Sequence, residues 1–253
     1  MDKTLAKGLA VLEALVEGEG SQGVSQIARK LALSKSNTHR LLQTLSVLGY
    51  VASSDGKYRL TPKLWVLGAD LISRLDVRRI AMPELEKLAE ETRETVHLSV
   101  LDRDEVVYVE KIDSPQPVRA YTKIGGRAPA YCVATGKALL AFQPQTLIDR
   151  VAEHLQAYTS RTITHAQALS RELAEVRALG HAVNRGEWRD ELGGIGAPIF
   201  DSHGAVIAAL GISGPTSRVN ATAVARFAPL VRQAARNVSR QMGATLGSSG
   251  LPE

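Results

Sequence analysis

Two short helical patterns and a hairpin pattern follow one another between residues 24 and 60, and this order constrains the fold more than any other feature of the chain. Apolar residues recur on one side of each helical pattern, namely Ile27, Ala28 and Leu31 in the first and Leu41, Leu42, Leu45 and Leu48 in the second. Ser25 and Ser34 are placed to cap these helices. An Asp-Gly turn between two β-prone runs then predicts a hairpin over residues 50–60. The order of elements predicts a winged helix-turn-helix domain.

The second helix of this motif has a polar side that suits a DNA groove. A recognition helix must bury leucines on one side and present polar residues on the other, so that it can lie in a major groove about 12 Å wide. Thr38 is expected to face the first helix, and the orientation of His39 is open. The candidate DNA contacts on the polar side are Lys35, Ser36, Asn37, His39 and Arg40. Asn and Arg can each form two hydrogen bonds with adenine and guanine, respectively.

Positive charge is concentrated in the same region. Residues 1–63 contain 9 Lys and Arg against 5 Asp and Glu, whereas the rest of the chain contains 22 against 21. Two of these cations, Lys57 and Arg59, lie on the predicted hairpin, where they can reach phosphates or the minor groove. An ordinary basic surface is the alternative interpretation, but the charge, the wing and the polar helix face together predict a double-stranded DNA operator as the partner.

The remainder of the chain predicts an α+β domain with an antiparallel sheet. A helix from about Pro83 to Glu94 precedes β-branched runs at 97–101 and 106–112 and a further strand at 118–122. Helical patterns at 133–142, 145–155 and 165–179 follow, and then three strand-like runs between residues 181 and 213. A last amphipathic helix is expected from Asn220 to Met242.

A leucine pattern connects the two regions. Leu64, Leu67, Leu71 and Leu75 follow Thr61-Pro62, which suit a helix cap and a first helical position. The pattern predicts a linker helix that forms a dimer seam or packs on its own domain, and we favour the seam because helix-turn-helix proteins bind two half-sites. The predicted organisation is a DNA-binding domain at 1–63, a linker helix at 64–80, a second domain at 81–245 and a disordered tail at 246–253.

Several other functions find no support in the residues. Cys132 is the only cysteine, which excludes an intrachain disulfide and a Cys-rich metal site, and we interpret it as a buried structural residue. TGKA at 135–138 and GGIG at 193–196 lack the surroundings of phosphate-binding and dinucleotide-binding loops. We expect no catalytic residues, metal or cofactor. Without a signal peptide or an apolar run near the ~18 residues of a membrane span, the protein is expected to be cytoplasmic and free of membrane contacts.

Six segments within residues 3–242 form a recognisable series: TLAKGLAVLEALVEG, VSQIARKL and SKSNTHRLLQTLSVLGYV, and then IGGRAPAYCVATGKALLA, HAVNRGEW and GAPIFDSHGAVIAALGISGP. In these segments the chain resembles the IclR family of bacterial transcriptional regulators. The resemblance implies a C-terminal GAF-like effector-binding domain and a homodimer, often paired into a tetramer. Family members include repressors and activators.

The resemblance also implies where a small-molecule effector binds. The matching positions are Ala134, Thr135, Asn184, Gly194, Gly211 and Ser213. Relatives that bind two- and three-carbon oxoacids carry acidic, thiol and hydroxyl side chains at three of these positions, where this chain has one Asn and two Gly. We therefore expect more room and a larger ligand. The hydroxyls of Thr135 and Ser213, and a helix starting near Thr135, favour a small organic acid; the competing interpretation is that both hydroxyls bond nearby backbone.

Three functions remain to be compared. The favoured one is a DNA-binding regulator whose operator affinity responds to the effector. A small-molecule enzyme with an appended basic domain is the alternative, although no nucleophile–base pair supports it, and the elaborate C-terminal region argues against an architectural DNA-binding protein. The acidic cluster Glu187, Asp190 and Glu191 is interpreted as a solvated loop, with a role facing a ligand as the alternative.

Overall fold

The computed structural model describes residues 2–18, 20–67, 76–247 and 251. The chain divides into two compact units, Met1–Leu75 and Asp76–Glu253. Among the described residues, no helix has the length and apolar character needed to cross a membrane.

The first unit combines helices with a small antiparallel sheet. Its elements are α1 (Lys3–Glu17), β1 (Gln22–Gly23), α2 (Val24–Lys30), α3 (Lys35–Val47), β2 (Val51–Ser54) and β3 (Lys57–Leu60). The strands are ordered β1-β3-β2. The core of the unit consists of Val11, Ala14, Leu15, Ile27, Leu41, Leu42, Leu45, Val51 and Tyr58. This arrangement is the predicted winged helix-turn-helix.

Local hydrogen bonds explain where two of these helices begin. The Asp2 carboxylate accepts from the backbone N–H groups of Thr4 at 2.7 Å and Leu5 at 3.0 Å. The Ser34 hydroxyl accepts from the backbone N–H of Asn37 at 3.2 Å. Each side chain pairs donors that the first helical turn leaves without a partner. The predicted cap at Ser34 is thus confirmed.

The start of α2 and the hairpin turn both depend on the small sheet. The predicted cap at Ser25 is wrong: Gly23 is the N-cap, and no side chain bonds the first turn. Gly23 also pairs with Lys57 in the sheet, so the chain enters α2 directly from β1.

The hairpin prediction is confirmed, because Asp55 and Gly56 join β2 to β3 with φ angles of 51° and 70°. Positive φ at both turn residues matches the twist of the paired strands.

The inner stripes of the helices are narrower than predicted. α1 contacts the core through Val11, Ala14 and Leu15, at the i, i+3, i+4 spacing of one helical face. Leu48, which was predicted on the inner stripe of α3, lies exposed, and so do Leu5, Leu9 and Val16 on α1. The sequence of α1 has apolar residues on two faces, and only packing against α2 and α3 decides which face is buried.

The predicted linker helix is only partly described. Residues 63–67 are helical, and Leu67 is exposed. Two members of the leucine pattern, Leu71 and Leu75, lie outside the described residues, as does most of the predicted tail. The dimer seam therefore stays a prediction.

The second unit is a six-stranded antiparallel sheet with helices packed against it. Its elements are α4 (Asp76–Thr92), β4 (Thr95–Asp102), β5 (Glu105–Ile112), β6 (Arg127–Pro129), a 3-10 turn (Ala130–Cys132), α5 (Ala134–Leu140), α6 (Gln145–Ala152), α7 (Ala166–Leu179), β7 (Ala182–Arg185), β8 (Leu192–Phe200), β9 (Val206–Pro215) and α8 (Ala221–Gln241). The strand order is β6-β5-β4-β9-β8-β7. The α+β class and the antiparallel sheet are confirmed.

Two predicted boundaries in this unit are wrong. The helix expected to begin at Pro83 begins at Asp76 and continues through the proline, which removes one backbone donor without ending the helix. The strand expected at 118–122 is part of a loop. Side chains bond its carbonyls instead of a neighbouring strand: Arg218 donates to Val118 O at 2.9 Å, and Lys111 donates to Thr122 O at 2.9 Å.

Candidate functional site

The polar side of α3 is presented outward because its other side is fully buried. Thr38 and the leucines at 41, 42 and 45 face the core, and the Thr38 hydroxyl donates to Ser34 O at 3.0 Å. The predicted orientation of Thr38 is thus confirmed. Of the candidate DNA contacts on this helix, Asn37 is half-buried and the exposed ones are Lys35, Ser36, His39 and Arg40. They form a contiguous polar surface over the first two turns.

The hairpin adds two cations to this unit. Along β3 the buried Tyr58 separates the exposed Lys57 and Arg59, as alternation along a strand requires. Both cations therefore lie on the outer face of the wing. Such cations are suited to phosphate oxygens, which position a protein on DNA without reading its sequence.

A cleft in the second unit collects five of the six positions predicted for the effector. The cleft is partly open to solvent, and the free room inside it is small, about 40 Å³. The five positions that line it are Ala134, Thr135, Asn184, Gly194 and Ser213. They come from the start of α5 and from strands β7, β8 and β9, which converge only in the folded sheet.

The two glycines do not provide the extra room expected of them. A Cβ atom at Gly211, which is outside the lining of the cleft, would meet the carbonyl oxygen of Ile195 and lie 3.0 Å from the Thr135 methyl. A Cβ at Gly194 would lie 2.9 Å from Ile212 O. Both glycines allow close packing of backbone and α5 against the sheet, so the inference that they enlarge the cleft is wrong.

A buried histidine lies in the cleft beside Ser213, and sequence reasoning missed it. The His97 Nε2 atom is 2.6 Å from Ser213 Oγ, and Nδ1 is 3.4 Å from Thr122 Oγ1. Its ring packs at 4.9 Å from the ring of Tyr108. Burial, reinforced by Lys111, lowers the pKa of His97 to about 4, so the imidazole is neutral at pH 7. A neutral imidazole can donate from one nitrogen and accept at the other.

Other residues that line the cleft were not predicted either, because the strands and loops that carry them meet only in the tertiary structure. Tyr108, Tyr121 and Trp188 supply aromatic surface, and the Arg189 guanidinium stacks over the Trp188 ring at 4.8 Å. No local pattern marks these residues in the sequence. Only 4 % of the chain is aromatic, so three aromatic side chains in one cleft are more than the composition would lead one to expect. Aromatic walls with few polar groups are typical of small-molecule sites.

The hydroxyl and amide groups of the cleft have side-chain or loop partners. Ser99 donates to Thr135 Oγ1 at 3.1 Å, and Ser213 pairs with His97, so the two hydroxyls bond side chains rather than the nearby backbone of the competing interpretation. The Asn184 side-chain oxygen, Oδ1, accepts from the backbone N–H groups of Gly186 at 3.0 Å and Glu187 at 2.9 Å. Asn184 therefore shapes the loop beside the cleft.

Two residues outside the cleft lining have structural roles. Cys132 is buried, and burial raises the pKa of its thiol to about 12, which is unsuited to a nucleophile and fits the structural interpretation. Glu187 is buried and ion-paired with Lys137 at 2.8 Å, so the solvated-loop interpretation is wrong for this member of the acidic cluster. Asp190 and Glu191 are exposed as expected. Within the described ranges, no group of three or more His, Cys, Asp or Glu could hold a metal ion.

Comparison with known families covers both units. The IclR helix-turn-helix domain matches residues 4–55, and the family described as bacterial transcriptional regulator IclR C-terminal matches residues 69–240. The chain belongs to the IclR family. It is a DNA-binding transcriptional regulator and, like the other regulators of the IclR family, not an enzyme.

Curated relatives of the IclR family align along nearly the full length. The HTH-type transcriptional regulator KdgR of Escherichia coli is 38 % identical over 244 residues, which cover 95 % of this chain and 92 % of the relative. The transcriptional repressor IclR of Escherichia coli is 31 % identical over 247 residues, with 95 % and 90 % covered.

Solved structures of the family agree with the fold. An IclR homologue from Microbacterium hydrocarbonoxydans, in complex with 4-hydroxybenzoate, has a TM-score of 0.84 at 30 % identity and covers 95 % of this chain and 99 % of its own. The Thermotoga maritima IclR has a TM-score of 0.79 at 31 % identity, with 95 % and 98 % covered.

Proposed function

We propose that this regulator binds its operator through α3 and the wing and that a small organic acid bound in the cleft of the second unit modulates that binding. The observation that carries the DNA contacts is the exposed polar surface of α3, with Arg40 on the same outward side as His39. The wing cations Lys57 and Arg59 add contacts to phosphate.

Replacement of Arg40 tests the proposed base contact. Arg40→Ala is expected to weaken specific operator binding by ~1–3 kcal/mol and to relax the preference at one base position per half-site. Lys3→Ala removes an exposed cation at the start of α1 and serves as the charge-matched control. Operator titrations with single-base variants measure both effects. Unchanged affinity and unchanged base preference in Arg40→Ala would remove this residue from the contact set.

The cleft is the proposed effector site because it combines aromatic walls with a few polar groups. The neutral His97 paired with Ser213 offers hydrogen bonds, and Arg189 at the rim offers a positive charge to a carboxylate. Trp188 and Tyr108 provide apolar contact for the body of the ligand. The complex of a relative with 4-hydroxybenzoate supports an aromatic or similarly sized acid as the effector class.

Filling the cleft tests this assignment. A thermal-shift series of carboxylic acids, starting with 4-hydroxybenzoate, is expected to identify a stabilising acid. Ser213→Leu is expected to abolish that stabilisation and the effect of the acid on operator binding, while basal DNA affinity stays intact. Ser170→Leu, on the exposed face of α7, is the matched control. Equal stabilisation of wild type and Ser213→Leu would place the ligand elsewhere.

The oligomer is proposed to be a homodimer, or a tetramer of paired dimers, on a roughly palindromic operator. Exposed apolar side chains support this, among them Leu5 and Leu9 on α1 and Trp65 and Leu67 in the helical residues 63–67. A footprint should show two half-sites in related orientation. Light scattering that gives a monomer at micromolar concentration, with and without DNA, would contradict the proposal.

A further inference from the structure

A buried lysine on α5, the helix whose first residues line the cleft, bonds to the loop that contributes Trp188 and Arg189 to the same lining. Lys137 follows Thr135 by two positions on α5, and its side chain is fully buried. Its ammonium group donates to Glu172 Oε1 at 2.6 Å, to Val183 O at 2.7 Å and to Glu187 Oε1 at 2.9 Å. An ammonium has three donors, and here each has an acceptor. All three N–H bonds of the Lys137 ammonium are therefore used within the fold.

Glu187 belongs to the loop that contributes Trp188 and Arg189 to the lining of the cleft. Residues 186–191 connect β7 to β8. The Glu187 side chain is buried against Lys137, whereas Trp188 and Arg189, the next two residues, line the cleft. Because these residues are consecutive, a shift of the backbone at Glu187 also shifts the backbone that carries the Trp188 ring.

The other hydrogen bonds of this loop act on its backbone and do not reach α5. Thr159 donates to Gly186 O at 2.7 Å, and Thr162 donates to Glu187 O at 2.6 Å. Asn184 Oδ1 accepts hydrogen bonds from the backbone N–H groups of Gly186 and Glu187. These bonds give the loop its shape, while the Lys137 ammonium connects it to α5.

We propose that Lys137 is a positioning residue for the effector: by binding Glu187, it sets the separation between α5 and the Trp188–Arg189 wall and thereby the affinity of the cleft for its ligand. The inference rests on the proposed function, because it assigns the ligand to the same cleft. Groups that hold binding residues in place determine how precisely a site fits its ligand. The ammonium also costs desolvation, which only a complete set of partners offsets.

The position of Trp188 provides a test that needs no ligand. In a Trp65→Phe background Trp188 is the only tryptophan, since the chain contains two. Lys137→Met is expected to shift its emission to longer wavelength and to raise its acrylamide quenching constant about twofold, because the wall separates from α5. Glu187→Gln keeps the shape of the side chain and is expected to change both readouts in the same direction by less, which keeps the test valid if Lys137→Met does not fold.

The control removes a comparable charge elsewhere in the same unit. Glu110 is buried and pairs with Arg78 at 2.6 Å, and neither residue lines the cleft. Glu110→Gln is therefore expected to leave Trp188 emission and quenching unchanged. Equal changes in Glu110→Gln and Glu187→Gln, or no change in either Lys137→Met or Glu187→Gln, would overturn the positioning role.

Ligand affinity completes the test. With 4-hydroxybenzoate as the probe, Lys137→Met and Glu187→Gln are expected to bind about tenfold more weakly than the parent, and Glu110→Gln equally well. A parent that binds neither 4-hydroxybenzoate nor any other acid of the series contradicts the proposed function, whereas the quenching result still decides whether Lys137 positions the wall. Wall movement without loss of affinity would overturn the link between Lys137 and the ligand.

Discussion

Acidification is predicted to destabilise the second unit through His97. The pKa of this group is about 4 in the folded protein, against 6.5 for an unperturbed histidine, because burial disfavours the charged ring. Between these pH values the unfolded chain binds a proton that the folded chain does not, so the stability falls as the pH falls. A difference of about 2.5 pKa units at ~1.36 kcal/mol per unit corresponds to ~3 kcal/mol, fully lost below about pH 4.

Two neighbours modulate this pKa. Lys111 on β5 lowers it further, and Asp113 raises it, but both effects are smaller than that of burial. The polar partners Ser213 and Thr122 contact the ring in its neutral form. The pH dependence should therefore persist at high salt, since desolvation is not screened by ions as a surface charge is.

Denaturant unfolding at several pH values measures the effect. In the Trp65→Phe background, Trp188 fluorescence follows the second unit, and His97→Gln supplies a side chain that does not titrate. The stability of wild type minus that of His97→Gln is expected to fall by ~3 kcal/mol between pH 7 and pH 4. Other groups, such as His181, whose pKa burial also lowers, cancel in this difference. His203→Gln, at an exposed position, is the control. Parallel curves for wild type and His97→Gln would refute the reasoning.

Three further predictions concern packing and DNA affinity. Gly136→Ala should destabilise the second unit by ~1–3 kcal/mol in thermal or denaturant unfolding, because its Cβ would collide with the Ala130 backbone. Unchanged stability would show that the 3-10 turn can move aside without loss of free energy. Gly211→Ala should destabilise by a similar ~1–3 kcal/mol, since its Cβ would meet a carbonyl of β8, and an equal or higher melting temperature would contradict this contact. Lys57→Ala and Arg59→Ala should weaken binding to all DNA sequences alike, and each should reduce by ~1 the slope of the logarithm of the binding constant against the logarithm of the salt concentration. A loss of affinity confined to one operator sequence would instead assign these residues to base readout.

Local sequence determined the elements whose causes are local. Ser34 caps α3 within its own first turn, and Asp55-Gly56 makes the hairpin turn that any chain with those residues favours. The polar side of α3 followed from leucines at helical spacing, so its exposure could be predicted. Strands β4 and β5 were predictable because their sequences are rich in apolar and β-branched residues, among them Val100, Val106 and Val107.

Tertiary structure decided what depends on partners distant in sequence. α1 has two apolar faces, and only packing selected the one with Val11 and Leu15. Residues 118–122 have strand-like composition, but Arg218 and Lys111 take carbonyls that a strand would need. His97 pairs with Ser213 across adjacent strands, and no local pattern brings these two residues together. Sequence resemblance placed five residues at the cleft, but its aromatic walls, its neutral histidine and the Lys137–Glu187 pair behind it arise from contacts that exist only once the sheet has formed.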